Sequence, residues 1–328
     1  MKVSVLDLCP VPEGSSVSQA LKNSIVLAKH LEELNFPRVW YAEHHNMTGI
    51  ASAATAVVMG QILASTSKIV VGAGGVMLPN HSPLVIAEQF GTLEALYPDR
   101  VELGLGRAPG TDQMTARALR RTLDSDPNDY PRDVIELLNY FKDPEPQQKL
   151  RAVPGAGLHV PVWILGSSLY GAQLAAILGL PYSFASHFAP AELDRALEVY
   201  RQNFQPSEYL QKPDAMVAVN VVVGDSDEEA QFLFSSLQQS FVNLRTGRPG
   251  PLPKPVMNYV DSLPINLRMV IDQSLSCSVI GSPETVEKGL KKLIAHTKAD
   301  ELIVTSPLWD NQKRMDSFTR LARITTTL

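Results

Sequence analysis

The sequence predicts an α/β chain folded as a (β/α)8 (TIM) barrel, and three observations carry that expectation. Short apolar or β-branched strands alternate with amphipathic helical stretches from one end to the other, and the alternation supplies eight units. Polar and glycine-rich residues gather just after the strands, at the end where barrels build their sites. No Pro/Gly linker divides the chain into separately cored halves, so residues 1–328 are expected to form a single domain. An open, doubly wound sheet made from the same units is the alternative.

The first unit pairs the strand KVSVLDL (2–8) with a helix over 17–34, whose apolar residues recur at helical spacing behind Ser15, Ser16 and Ser18 as cap candidates. Strand two is RVWYA (38–42), with a helix over 51–67. Strand three is the β-branched run KIVVGAG (68–74); its helix, 82–97, carries Pro83 in the first turn, where the missing N–H costs little. Strand four is RVELGLG (100–106), followed by helical stretches at 111–121 and 130–141. Units five, six and seven are VPVWIL (160–165) with 168–179, PYSFA (181–185) with 189–204, and AMVAVNVVVG (215–224) with 227–244. A proline-rich segment, 245–278, reads as irregular and precedes a helix over 282–297. Strand eight, ELIVTS (301–306), and a helix over 311–324 close the chain. Two long insertions, 106–159 and 245–278, therefore follow strands four and seven, where barrel enzymes place binding loops and lids.

Composition narrows the function. Of 328 residues, 45% are hydrophobic and 19% charged, enough to bury a large core. The net charge is −5, and Lys and Arg are dispersed with no basic stripe, so nucleic acid is not an expected partner. Cys9 and Cys277 are too few for a disulfide scaffold or a cysteine zinc site and fit a reducing cytoplasm. The N-terminus lacks a signal-peptide pattern and no apolar run reaches about 18 residues, so no membrane association is expected.

Chemistry is expected at the strand ends. After strand two come Glu43, His44 and His45. Adjacent side chains in extended chain point to opposite sides, which disfavours one metal shared by the two rings, and no HExxH or His-x-His spacing accompanies them. A histidine facing the mouth can serve as acid, base or hydrogen-bond donor near neutral pH; the plainer reading is a hydrogen-bonded loop residue. After strand three, Gly72 to Gly75, with Ala73 among them, lack the third glycine of a Rossmann fingerprint and run into Pro79, so NAD binding there is rejected. These glycines either turn a tight barrel corner or let a flat ligand approach the backbone. Arg107 after strand four, with Ser167 and Ser168 opening the helix after strand five, fits a phosphate held by a guanidinium and a helix N-terminus. Alternatively Ser168 caps its helix and Arg107 pairs with an acid. His81 and His187 are weaker candidates; Trp40 and Trp163 read as packing, and Cys277 has no assigned role.

Together the stretches SVLDLCP, VWYAEHHN, VGAGGVMLPNHSPLVIAEQFGTLEALYPDRVELGLGR, PVWILGSS and GSPETVEKGL resemble the bacterial luciferase-like flavin-dependent monooxygenases, in particular their single-gene, homodimeric branch. The resemblance implies a barrel that binds FMN at its C-terminal mouth, taken up in reduced form from a separate NAD(P)H:flavin reductase. It implies oxygenation of a small organic substrate, aldehydes among the candidates, through a flavin C4a-hydroperoxide. It implies a catalytic His44, a ring cradle at Ala73, Gly74 and Gly75 that includes a non-prolyl cis peptide, and a phosphate end at Arg107, Ser167 and Ser168. An F420-dependent oxidoreductase and a non-catalytic flavin-binding protein are the alternatives within that resemblance. Gly106 stands where the light-emitting subunit has a reactive cysteine, and 245–278 shows little likeness to its lid, which sets this chain apart from light emission.

Overall fold

A computed structural model describes residues 1–108, 113–119 and 129–328. Eight parallel strands close on themselves: β1 (Lys2–Asp7), β2 (Arg38–Tyr41), β3 (Val70–Met77), β4 (Val101–Gly106), β5 (Val162–Gly166), β6 (Tyr182–Phe184), β7 (Ala215–Val223) and β9 (Glu301–Thr305), with β9 pairing back onto β1. The closed barrel expected from the alternation is thus the observed architecture, and the open sheet is not. A ninth strand, β8 (Ser278–Gly281), lies outside the ring and pairs with the upper half of β7, beyond the point where β6 ends.

The helices α1 (Val17–Glu33), α2 (Thr55–Ser65), α3 (Pro83–Leu96), α4 (Gln113–Leu119), α5 (Tyr130–Phe141), α6 (Leu169–Leu178), α7 (Leu193–Asn203), α8 (Asp227–Arg245), α9 (Ile265–Ser274), α10 (Pro283–Thr297) and α11 (Asn311–Thr325) follow in chain order. Ser16 caps α1 by accepting from the Gln19 N–H at 3.1 Å, and Leu27, Ala28 and Leu31 on one face of that helix bury against the barrel. The segment read as irregular is partly ordered. Residues 265–274 form α9, and α8, α9 and β8 bury Leu233, Phe234, Ile271 and Leu275 in a small core of their own. The helix expected over 111–121 is seen over 113–119; residues 111, 112, 120 and 121 lie outside the described residues.

Two apolar cores sandwich the strands. Val5, Val39, Val71, Leu103, Ile164 and Val217 point outward to the helices, while Leu6, Trp40, Trp163, Met216, Ala218 and Ile303 fill the barrel. Burial on both faces explains why β7 is apolar at every position but Asn220. Inside, Trp40 and Trp163 meet edge to face at 5.5 Å. Glycine makes the room: a Cβ on Gly72 would fall 2.3 Å from Trp40 Nε1, and one on Gly104 would fall 2.3 Å from the Ala73 carbonyl oxygen.

The N-terminal end of the barrel is closed by buried charge. Arg38 reaches Glu102 at 3.1 Å and Glu301 at 3.3 Å, and its guanidinium lies 5.4 Å from the Trp163 ring centre. Trp40 Nε1 donates to Glu102 at 2.9 Å, and the Ser4 hydroxyl donates to Glu301. Burial raises both carboxyls, against the opposing pull of Arg38.

Candidate active site

At the opposite end, β2 and β3 deliver an acid, three histidines and a kinked glycine pair. Pairing between β3 and β4 shifts by one residue between Gly74 and Val76, leaving Gly75 as the extra residue of a bulge, and the Gly74–Gly75 peptide is cis. The Glu43 N–H donates to the Gly75 carbonyl at 3.1 Å, so the bulge and the histidine stretch are stitched together.

Glu43 is the hub. Its side chain is 3% exposed; it accepts from His45 Nε2 at 2.7 Å, from His81 Nε2 at 2.9 Å and from the Met77 N–H at 3.0 Å. Burial pushes this carboxyl up, but the hydrogen bonds and charge from His81, with His45 and Met77, outweigh burial and hold it below the usual carboxylate range. His45 and His81 are therefore anchored to a carboxylate. Among the described residues, no three or more His, Cys, Asp or Glu are arranged to hold a metal ion.

His44 turns the other way. Its Nδ1 is sealed from solvent and has no hydrogen-bond partner. Burial, reinforced by the neighbouring His45, depresses its pKa despite the opposing charge of Glu43, so the ring stands uncharged near neutral pH. Of the two rings in the doublet, His45 is held by Glu43, while among the described residues the Nδ1 of His44 is left without a partner.

The glycine stretch divides by face. The Ala73 side chain is fully buried in the outer core, so only its backbone borders the mouth. Gly72 and Gly74 face the interior and leave space for Trp40, which gives these glycines a packing role as well. The space at Gly106 is likewise occupied: Met77 Sδ lies 2.7 Å from where its Cβ would be.

One step further round, Arg107 is exposed and its guanidinium stacks over Tyr170 at 4.1 Å, in the first turn of α6. No acid pairs with Arg107 among the described residues. Ser167 and Ser168 are exposed, and Ser168 occupies the N-cap position of α6 without a side-chain capping bond, which leaves the first N–H groups of that helix open to a ligand. The stacking Tyr170 was not anticipated from the sequence, although it stands two residues after Ser168 in GSSLYG. The strand ends carrying His44, Gly75, Arg107 and Ser168 are consecutive neighbours around the ring.

The model of the luciferase-like monooxygenase family matches residues 1–296. The chain belongs to that family. Within the luciferase-like monooxygenases, it is 53% identical over 315 residues to a protein of that name from Escherichia coli (strain K12), covering 96% of this chain and 94% of the relative. The structure of apo-MsnO8 superposes with a TM-score of 0.88 at 32% identity, covering 100% of this chain and 99% of that one. At 17% identity, the oxygenating constituent of 3,6-diketocamphane monooxygenase from Pseudomonas putida, solved with FMN, shares the fold with a TM-score of 0.73 over 98% and 97% of the chains. The family expected from the motifs is thereby the family found.

Proposed function

We propose that the protein is the oxygenating component of a two-component monooxygenase that takes up reduced FMN from a separate reductase and oxidises a small organic substrate. The observation carrying this reading is the contiguous arc of strand ends: among the described residues, an imidazole with an unpartnered Nδ1 stands at the β2 end, and a guanidinium with no acid partner stands beside an uncapped helix N-terminus at the β4–β5 end. A flat ring with a phosphate tail has that same polarity, and the FMN complex of the Pseudomonas putida protein supports the choice.

The residues fit the group. Arg107 and the α6 N-terminus with Ser167 and Ser168 would hold the phosphate, the Arg as a permanent charge and the helix through its open N–H groups. The backbone of Ala73, Gly74 and Gly75 would border the ring, and His44 Nδ1 would accept or deliver a proton beside it. Bound reduced FMN supplies the electrons that activate dioxygen. The remaining work is the chain's own: Glu43 fixes the backbone on which His44 stands, and burial keeps that imidazole neutral.

Anaerobic titration tests the reading. Reduced FMN should bind more tightly than oxidised FMN or F420, and adding oxygen with the right substrate should couple flavin oxidation to product. Preference for F420 would move the protein to the deazaflavin oxidoreductases, and binding of oxidised FMN without turnover would make it a flavin carrier.

A further inference from the structure

Glu43, His45 and His81 satisfy one another, but a fourth histidine does not join them. His187 follows the last residue of β6 by three positions, as His44 follows the last residue of β2. In a closed ring of eight strands, β2 and β6 are four places apart in either direction, so the two histidines follow strand ends that stand opposite each other across the barrel axis. Burial, with His44 adding to it, holds the His187 imidazole well below its ordinary pKa.

The surroundings of His187 are built to fix it. Its carbonyl accepts from Asn220 Nδ2 at 2.6 Å, and Asn220, 2% exposed on β7, also donates to Ser278 Oγ at 3.1 Å on β8. The Ser186 hydroxyl donates to the Ala218 carbonyl, and Phe188 packs edge-on against the His187 ring at 4.8 Å. Yet the Nδ1 of this ring, like that of His44, is sealed from solvent and unpaired. A buried polar atom without a partner is costly, and among the described residues these two histidine nitrogens share that state at matching positions after opposite strands. At His187 the backbone is held from β7 while Nδ1 has no partner among the described residues, and His44 leaves its own Nδ1 unpartnered at the opposite strand end.

We propose that His187 is a second catalytic residue, which hydrogen-bonds across the mouth to the same bound ligand that His44 touches. The inference rests on the flavin reading above. A neutral imidazole offers one N–H and one lone pair, so two facing rings receive an uncharged edge bearing carbonyl and N–H groups more readily than an anion. The edge of the FMN ring system has that chemistry; its phosphate does not, and the Arg107 corner takes the phosphate instead. Asn220 is then a positioning residue, acting through the His187 backbone.

The test is histidine side-chain 15N NMR on the full chain, which has seven histidines, with signals assigned by single substitution to glutamine. Adding FMN should shift the Nδ1 signals of both His44 and His187, and riboflavin, which lacks the phosphate, should shift the same two. His187→Gln should weaken FMN binding about three- to tenfold, the scale of one neutral hydrogen bond. If FMN binds in an Arg107-dependent way but the His187 signals stay in place and His187→Gln binds as well as wild type, this inference falls while the flavin reading stands. If neither FMN nor reduced FMN binds, both fall. Should His187→Gln fold poorly, assigning the other six histidines identifies the seventh signal by elimination, and the wild-type titration decides alone.

Discussion

The N–H of Glu43 donates to the carbonyl of Gly75 at 3.1 Å, joining the strand that carries the histidine doublet to the bulge at the end of its neighbour. Because the Glu43 carboxylate also gathers His45, His81 and the Met77 N–H, a single residue sets the geometry of the whole β2–β3 corner. Glu43→Gln keeps the size and removes the charge. Hydrogen bonds to charged groups are worth about 1.5–3 kcal/mol, so a destabilisation of that order is expected in urea unfolding. An unchanged midpoint would show that the hub is decorative.

Arg107→Ala removes the guanidinium from the α6 N-terminus and leaves the barrel intact. FMN affinity should fall by about 1.5–3 kcal/mol, with riboflavin affinity nearly unchanged because it has no phosphate to lose. Equal losses for both ligands would place Arg107 against the ring system.

His44→Ala is expected to leave FMN affinity within a few-fold of wild type and to slow turnover or uncouple flavin oxidation from product by about 10²-fold or more, the range of a general acid or base. Stopped-flow absorbance on mixing the reduced-flavin complex with oxygen reads the difference. A variant with wild-type kinetics would leave His44 a loop residue.

Acid should destabilise the protein through His187. Burial, with His44 adding to it, lowers its pKa to about 3, so between the unfolded value near 6.5 and that point the unfolded chain binds a proton the native state refuses. Stability is full above about pH 6.5 and declines as pH falls. His187→Gln should flatten that decline, by at most about 1.4 kcal/mol per pH unit, the limit for one proton. Parallel unfolding profiles for the two proteins would contradict the assignment.

Gly72→Ala would set a Cβ 2.3 Å from the Trp40 indole nitrogen. A loss of about 1–3 kcal/mol from overpacking is expected, together with an altered tryptophan emission spectrum, since the ring must shift.

The barrel was legible because β-branched runs and helical periodicity reported the same alternation through most of the chain. What escaped was local and weak. β8 is four residues, SVIG, only partly buried, and it exists by pairing with the upper half of β7, a long-range contact that no local pattern encodes. Helix α9 begins after Pro264 in a stretch whose prolines hid its apolar positions. At the site, the His44 and Arg107 corners were marked by unusual residue types after strands. His187 carried the same three-residue offset in PYSFASHF, but its importance depends on β2 and β6 being opposite, which only closure of the ring establishes. The glycines of β3 also serve a packing need that no local pattern shows, since Gly72 and Gly74 leave room for Trp40.

Arg38, held between Glu102 and Glu301 against Trp163, gives the barrel a floor as well as a balance of charge. With that end occupied by buried charge and the interior filled by side chains, the barrel receives a ligand at its opposite mouth. On the proposed function, flavin, organic substrate and product would share that one opening, so slow release of one would delay entry of the next. Sluggish departure, more than slow chemistry, would show itself as inhibition by excess flavin or by accumulated product.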